Sequence, residues 1–351
     1  MKEVKLGRNL LIKAFSLLMV VVVTLLLMNV VLGATGFSDR MLNALVNEQV
    51  RVYRQGLAQT IQDPNELQRI VDNYEQTLIQ AYDLDKPWPM RLPQMIWRVM
   101  TFDLGKAKTS QTFKGSTEIR DLIMERLPKS ILLITTSVGI SALLGLVVGT
   151  KIATMPGSKI DRFFSNYSAF SYAIPTWWTG LLFIMIFAQQ LRILPASGMY
   201  SAPPPTETIP RFIDLLWHAI LPISTLVLAF SGSWIYMTRT MVLNTAQQDF
   251  VNVARAKGLP ENLVMRRYII RVAAPPILTN VILGLASSLS GAILTETVFG
   301  WPGMGLLYWN AIIHVDEGLI IALTFIYTLI YVIARMILEV LYVILDPRVE
   351  Y

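Results

Sequence analysis

Few side chains in this 351-residue chain are equipped for covalent chemistry, and their spacing excludes most of it. There is no cysteine, so disulfides, thiolate metal sites and cysteine nucleophiles are ruled out. His218 and His314 are the two imidazoles, too few for a multi-histidine metal centre. No carboxylate pair stands out, and no serine sits in a nucleophile turn with histidine and acid partners. The phosphate loop Gly-x-x-x-x-Gly-Lys-Ser/Thr is missing, so the chain does not bind ATP in that manner. No catalytic, cofactor-binding or metal-ligating residue is therefore assigned.

Two features remain. The first is the basic stretch Asp249–Arg271, DFVNVARAKGLPENLVMRRYIIR, lying between two long apolar runs. Phe250, Val251, Ala254 and Lys257 fall on one face at helical spacing. Gly258 suits the left-handed residue that ends a helix. Pro260 and Glu261 suit the first turn of the next one. A helical knob on two anchored legs has a shape for transmitting force or docking a partner; an ordinary surface loop is the plainer reading. The second feature is Glu296, the chief ionisable group near an apolar run. An intramembrane acid is a functional candidate. Glu296 either lines a path or gate, or it hydrogen-bonds the adjoining FGWPGMG turn.

The elements that carry these features are membrane spans. Hydrophobic residues make up 54% of the chain and charged residues 15%, against about 25% charged in soluble domains. The spacing predicts an all-α integral membrane protein with six spans and a long external helical insert after the first. Residues 1–13 form a basic head and 14–32 the first span. A cleaved signal peptide is the plainer alternative, but its apolar core is normally about 7–15 residues, so the length favours an uncleaved span. Residues 33–129 are external. Within them Met41, Leu42, Leu45, Val46, Val50, Tyr53 and Leu57 repeat at three or four. A second helix starts at a capping box, with Asp63 as N-cap, Pro64 at the first helical position and Glu66 reaching back. Trp88, Trp97 and Phe102 suit an interfacial segment.

Residues 130–345 hold five more spans. Ser130–Thr150 is the second, with Ser141, Gly145 and Gly149 on a small-residue face for close helix approach. Phe163–Gln190 is the third, kinked at Pro175. Ala219–Thr238 is the fourth. Val272–Thr295 is the fifth, with Pro275 and Pro276 in its first turn and Gly284, Ser288 and Ala292 four apart. Gly318–Leu345 contains the sixth. The loop 239–271 carries six basic residues, and residues 346–351 form the tail. Short-loop Lys and Arg counts put both termini and the knob in the cytoplasm.

These blocks carry a resemblance. DFVNVARAKGL, followed by RRYIIR and a proline-led span, resembles the coupling loop of ABC importer permeases, most of all the B-type permease of the oligopeptide/dipeptide and nickel family. TETVFGWPGMGLLYWNAI and LYVILDPRVEY resemble that family's closing blocks, and YDLDKPWPMRLPQMIWRVMTFDLGKA its segment after the first span. One departure concerns the loop. The generic importer pattern has Glu-Ala-Ala beginning six residues before its glycine, where this chain has Asn252, Val253 and Ala254.

The resemblance implies the type I importer permease fold in a cell membrane. It implies a second homologous permease, two P-loop ATPase subunits that hold the ATP and Mg, and an external or periplasmic substrate-binding protein. No nucleic acid is implied. Asp249, Asn252, Ala254, Arg255, Ala256, Lys257, Gly258 and Arg266 would form the ATPase-coupling loop, with Arg255 and Lys257 meeting the groove rim. Ser288, Ala292, Glu296, Trp301, Pro302 and Gly303 would line the translocation path or gate. Peptides lead as substrate, followed by oligosaccharides and nickel. A stand-alone secondary carrier is the rival class, but mid-membrane coupling-ion sites and internal repeats are not evident.

Overall fold

The computed structural model describes residues 2–58, 61, 63–288, 292–314 and 316–345. Among these, the regular structure is helical; Lys106 and Glu118 form an isolated antiparallel bridge. In chain order the helices are α1 (Lys2–Ala34), α2 (Phe37–Leu57), α3 (Pro64–Ala81), α4 (Trp88–Met100), α5 (Ile119–Ala153), α6 (Lys159–Ala173) and α7 (Thr176–Gln190). There follow α8 (Thr208–Ala246), α9 (Asp249–Ala256), α10 (Arg271–Ser288), α11 (Ile293–Val298), α12 (Met304–Ile313) and α13 (Glu317–Leu345).

Four of these segments are long and apolar enough to cross a bilayer: Ile12–Val31, Ile119–Ala153, Thr208–Ala246 and Glu317–Leu338. The pair α6 and α7 makes a fifth if taken as one broken span. The chain is thus a multi-pass membrane protein. The 39 residues of α8 extend about 58 Å at 1.5 Å per residue, well beyond a hydrocarbon core of about 30 Å.

Two expected spans take a different form. The third is not a kinked helix: α6 and α7 meet at 98° across Pro175. Proline disfavours helical geometry in the residue before it, and Ile174 is extended (φ −90°, ψ 126°). The run expected as the fifth is α10, which carries Pro275 and Pro276 inside the helix rather than at its start. The wider π-helical turns of Val264–Ile270 lead directly into it, the kind of local adjustment that accommodates lost backbone hydrogen bonds. Residues 289–291 lie outside the described set. Beyond them Ala292 is non-helical (φ −116°, ψ 85°), so the helical geometry is interrupted before Glu296.

The chain divides into two compact units. One is built on Asp121–Asn310. Here the small-residue face of α5 works as its spacing suggests. A Cβ on Gly145 would fall 2.7 Å from that of Trp234, and one on Gly149 would fall 2.7 Å from the Ile235 carbonyl oxygen. Only hydrogen at these positions lets α5 lie directly on α8. On α6, Ser171 Oγ donates to the carbonyls of Leu228 and Ala229 at 2.8 Å, and the Tyr167 hydroxyl lies 2.6 Å from Ser231 Oγ.

The other unit comprises Phe15–Arg120 with Ala311–Thr328. Helices α2 and α3 pack through Val46, Val50 and Val71, and Tyr53 stacks on Tyr74 at 4.1 Å. Asp63 caps α3 by accepting from the Asn65 amide at 2.9 Å. Asp316, fully buried, accepts from the amides of Lys108 (2.6 Å) and Thr109 (3.0 Å) and from the Thr109 hydroxyl (3.1 Å).

Candidate coupling knob and buried acid

The knob begins where α8 ends. Its first helix, α9, is only eight residues long, too short to be stable alone. It is held by an apolar seat. Val251 and Ala254, three apart, are buried against Ala153, Val242, Val264, Ile269, Ala273 and Ile277. Burying each Val or Ile there stabilises the seat by roughly 1.5–3 kcal/mol. The seat therefore draws on the end of α5, the end of α8 and the start of α10.

The buried face differs from the one the sequence suggests. Phe250 is exposed rather than seated, and so is Lys257. The helix turns Val251 and Ala254 inward, which puts Phe250 on its flank and leaves Val253 53% exposed. Asp249, Asn252, Arg255, Ala256, Lys257 and Arg266 are also exposed, while Ala254 is buried. The open surface is thus a mixed one, with Phe250 and Val253 among polar and basic residues.

The turn behaves as its glycine implies. Gly258 adopts φ +76°, the left-handed region, where any side chain is costly. Its amide donates to the Arg255 carbonyl at 2.9 Å. Pro260 then precedes the short helical turn that starts at Glu261. Arg255 does not hang free at the rim. Its guanidinium grips Glu261 with two bonds, at 2.7 and 3.1 Å, closing the turn upon itself. This bond holds the Glu261 carboxyl below its ordinary range.

A pairing that sequence spacing did not reveal lies beside the knob. Asp161 at the start of α6 forms a two-point ion pair with Arg239 on α8, Nη2 to Oδ2 being 2.8 Å. Asp161 Oδ2 also accepts from the Gly157 amide at 2.8 Å, and Ser158 caps α6 by accepting from the Asp161 amide. The two partners are 78 positions apart; the local signal was only an acid three residues after a Ser N-cap, which reads as an ordinary helix start.

Glu296 and its neighbours come together at a second location. Glu296 is 0% exposed. Its Oε1 accepts from Ser130 Oγ (2.7 Å) and the Ala292 amide (3.4 Å); its Oε2 accepts from the amides of Gly305 (2.8 Å) and Leu306 (3.0 Å). Ser130 Oγ in turn accepts from the Met304 amide at 2.7 Å. The acid and the serine thus satisfy three of the donors that the first turn of α12 leaves open. Gly303 is enclosed by the same groups: a Cβ there would fall against Glu296 Oε2 and Ser130 Oγ. Trp301, fully buried, donates from its indole nitrogen to the Lys129 carbonyl at 3.0 Å and offers no open stacking face. Pro302 is half-buried between them. Ser288 ends α10, and its side chain lies outside the described residues. Of the two readings of Glu296, the turn-holding contacts are the ones present here.

Comparison with known proteins adds the family. Residues 141–351 match the family of the binding-protein-dependent transport system inner membrane component. The chain is 33% identical over 273 residues to the oligopeptide transport system permease protein AppB of Bacillus subtilis, covering 78% of this chain and 84% of that one. It is 30% identical over 270 residues to a putative peptide permease protein of Brucella suis, with 76% and 81% covered. It is 28% identical over 294 residues to a probable peptide ABC transporter permease protein of Sinorhizobium fredii, with 84% and 89% covered. The chain therefore belongs to the binding-protein-dependent transport system inner membrane components, among the permeases of the peptide ABC transporter family.

Proposed function

We propose that this chain forms half of the translocation path of an importer for di- and oligopeptides and is driven by ATPase subunits through the knob at 249–271. The substrate class rests on the names of its relatives. The second half of the path comes from a homologous permease. Two P-loop ATPase subunits hold the ATP and Mg, and a binding protein on the outer side delivers the peptide. Both termini and the knob lie on the cytoplasmic side, consistent with the basic residues of loop 239–271. Residues 33–129 lie outside, and 130–345 form the permease core.

The observation that carries this reading is the division of the knob. Val251 and Ala254 anchor it to the ends of α5 and α8 and to the start of α10, while Phe250, Asn252, Val253 and Lys257 are left for a partner. A push on that surface reaches α5, α8 and α10 together. ATP-driven closure of the ATPases would move the knob and so rock the spans between inward- and outward-facing states. Residues around the Glu296 turn, with Ser288, Ala292, Trp301, Pro302 and Gly303, shape the path or gate.

Gentle detergent purification of the tagged chain from its native membrane tests this. A second permease and P-loop ATPases should co-purify and hydrolyse ATP. A chain that purifies alone and transports alone, indifferent to ATP, would overturn the reading.

A further inference from the structure

The apolar seat of the knob involves α5, α8 and α10 but no residue of α6. Helix α6 is tied to the knob-bearing end of α8 differently. Asp161 is 4% exposed and Arg239 20%, and they meet in a two-point pair. Asp161 is itself fixed by the Gly157 amide and by the Ser158 cap. A forked guanidinium on an anchored carboxylate resists rotation as well as separation, which a single contact does not.

The rest of α6 makes that attachment consequential. It lies along α8 through Tyr167 and Ser171, with Gly232 admitting Ser171 at close range. At Pro175 the chain turns through 98° into α7. Helix α7 then reaches the other location described above: a Cβ on Gly180 would lie 3.1 Å from the ring of Phe299, three residues after Glu296. A rigid arm, an elbow and a second arm thus connect the knob end of α8 with the Glu296 turn.

We propose that Asp161 and Arg239 are positioning residues for energy coupling: their ion pair makes α6 move with the knob-bearing end of α8. The inference rests on the coupling reading above. In it the pair stays closed while the spans rock, and the elbow passes the movement of α6 to α7. As positioning residues they act through the two helices they join. Losing the pair leaves ATP hydrolysis running while fewer substrate molecules cross per ATP.

The absence of cysteine from the chain allows a direct test. The complete importer, with partner permease, ATPases and binding protein, is placed in proteoliposomes, and peptide uptake and ATP hydrolysis are measured together. The wild-type complex comes first; absence of ATP-dependent uptake there overturns the coupling reading and this inference with it. In the double variant D161C/R239C, hydrolysis should persist while uptake per ATP falls about tenfold, within the range of ordinary coupling energies. Bridging the two thiols with a short bifunctional reagent should restore the ratio. An unchanged ratio before bridging, or no recovery after it, overturns the proposal while the wild-type result stands. If the double variant does not assemble, R239K is read in the same two assays. It keeps the charge but loses the fork, so a lowered ratio supports the proposal and a wild-type ratio overturns it.

Discussion

Ser130 and Glu296 are 166 positions apart, yet the serine hydroxyl donates to the carboxylate at 2.7 Å in a fully buried pocket. The serine also receives the Met304 amide. One small polar cluster therefore joins the start of the second apolar run to the first turn of α12. Burial of a carboxylate is tolerable only when its oxygens are this well supplied with donors.

Removing that acid should be costly. Glu296→Ala strands the amides of Gly305 and Leu306 and the Ser130 hydroxyl, and the expected loss is about 2–4 kcal/mol. Glu296→Gln retains a carbonyl acceptor but presents an NH2 where an acceptor is needed, so an intermediate loss is expected. Gly303→Ala should resemble Glu296→Ala, because its methyl displaces the carboxylate. Thermal unfolding of the detergent-purified complex ranks the three.

The knob turn gives a sharper separation of stability from coupling. At φ +76°, Gly258→Ala should destabilise the turn by about 1–2 kcal/mol, and Gly258→Val by more, since a β-branched residue is still less tolerant there. Uptake should fall more steeply than ATP hydrolysis in both. Nothing in this chain lies within 4 Å of the added Cβ, so the cost of Gly258→Ala to the turn itself comes from backbone conformation rather than from a clash within the chain.

The Arg255–Glu261 fork is exposed, and Arg255→Ala should therefore cost no more than about 1 kcal/mol. Its pH dependence has a definite sign. The Glu261 carboxyl is held below its ordinary value by the Arg255 hydrogen bond. The pair's contribution is thus fully present above the ordinary glutamate range and is lost as pH falls through the lowered value. Hydrogen exchange of the amides at 256–259 and 261–262 should differ between wild type and Arg255→Ala at neutral pH. That difference should shrink as pH falls through the lowered Glu261 value.

In the other unit, Asp316→Ala frees the amides of Lys108 and Thr109. Trypsin should then cut faster at Lys108 and Lys114. Asp316→Asn keeps an acceptor and should lie between the two. Equal cleavage rates in all three proteins would show that the segment is held by something else.

Much of this was legible in sequence because its physics is local. The α2–α3 pattern, the Asp63 cap and the Gly258 turn each depend on neighbours in the chain, and the small-residue face of α5 follows from a spacing of four. What was not legible depends on distant partners. Pro175 announces a disturbance, but a kink and a 98° break have the same local sequence. Phe250 is apolar, yet the orientation of α9 is decided by where Val242 and Ile269 lie. Arg255 reads as a free rim charge until the turn brings Glu261 to it. Asp161 looks like a helix-start acid until Arg239 is found across from it. The role of Glu296 likewise depends on Ser130, which sequence distance hides.

The most direct test of the central claim uses the exposed outer surface of the knob. Val253 is 53% exposed on α9 and lies off the buried seat. A Val253→Cys variant provides the sole thiol on this chain. Thiol cross-linking in native membranes should join it to an ATPase subunit, with the yield changing when ATP is bound. A single cysteine at exposed Phe113, assigned here to the outer side, should give no such product. A Val253→Cys protein that assembles, reacts with small thiol reagents and never cross-links to an ATPase would contradict the coupling assignment.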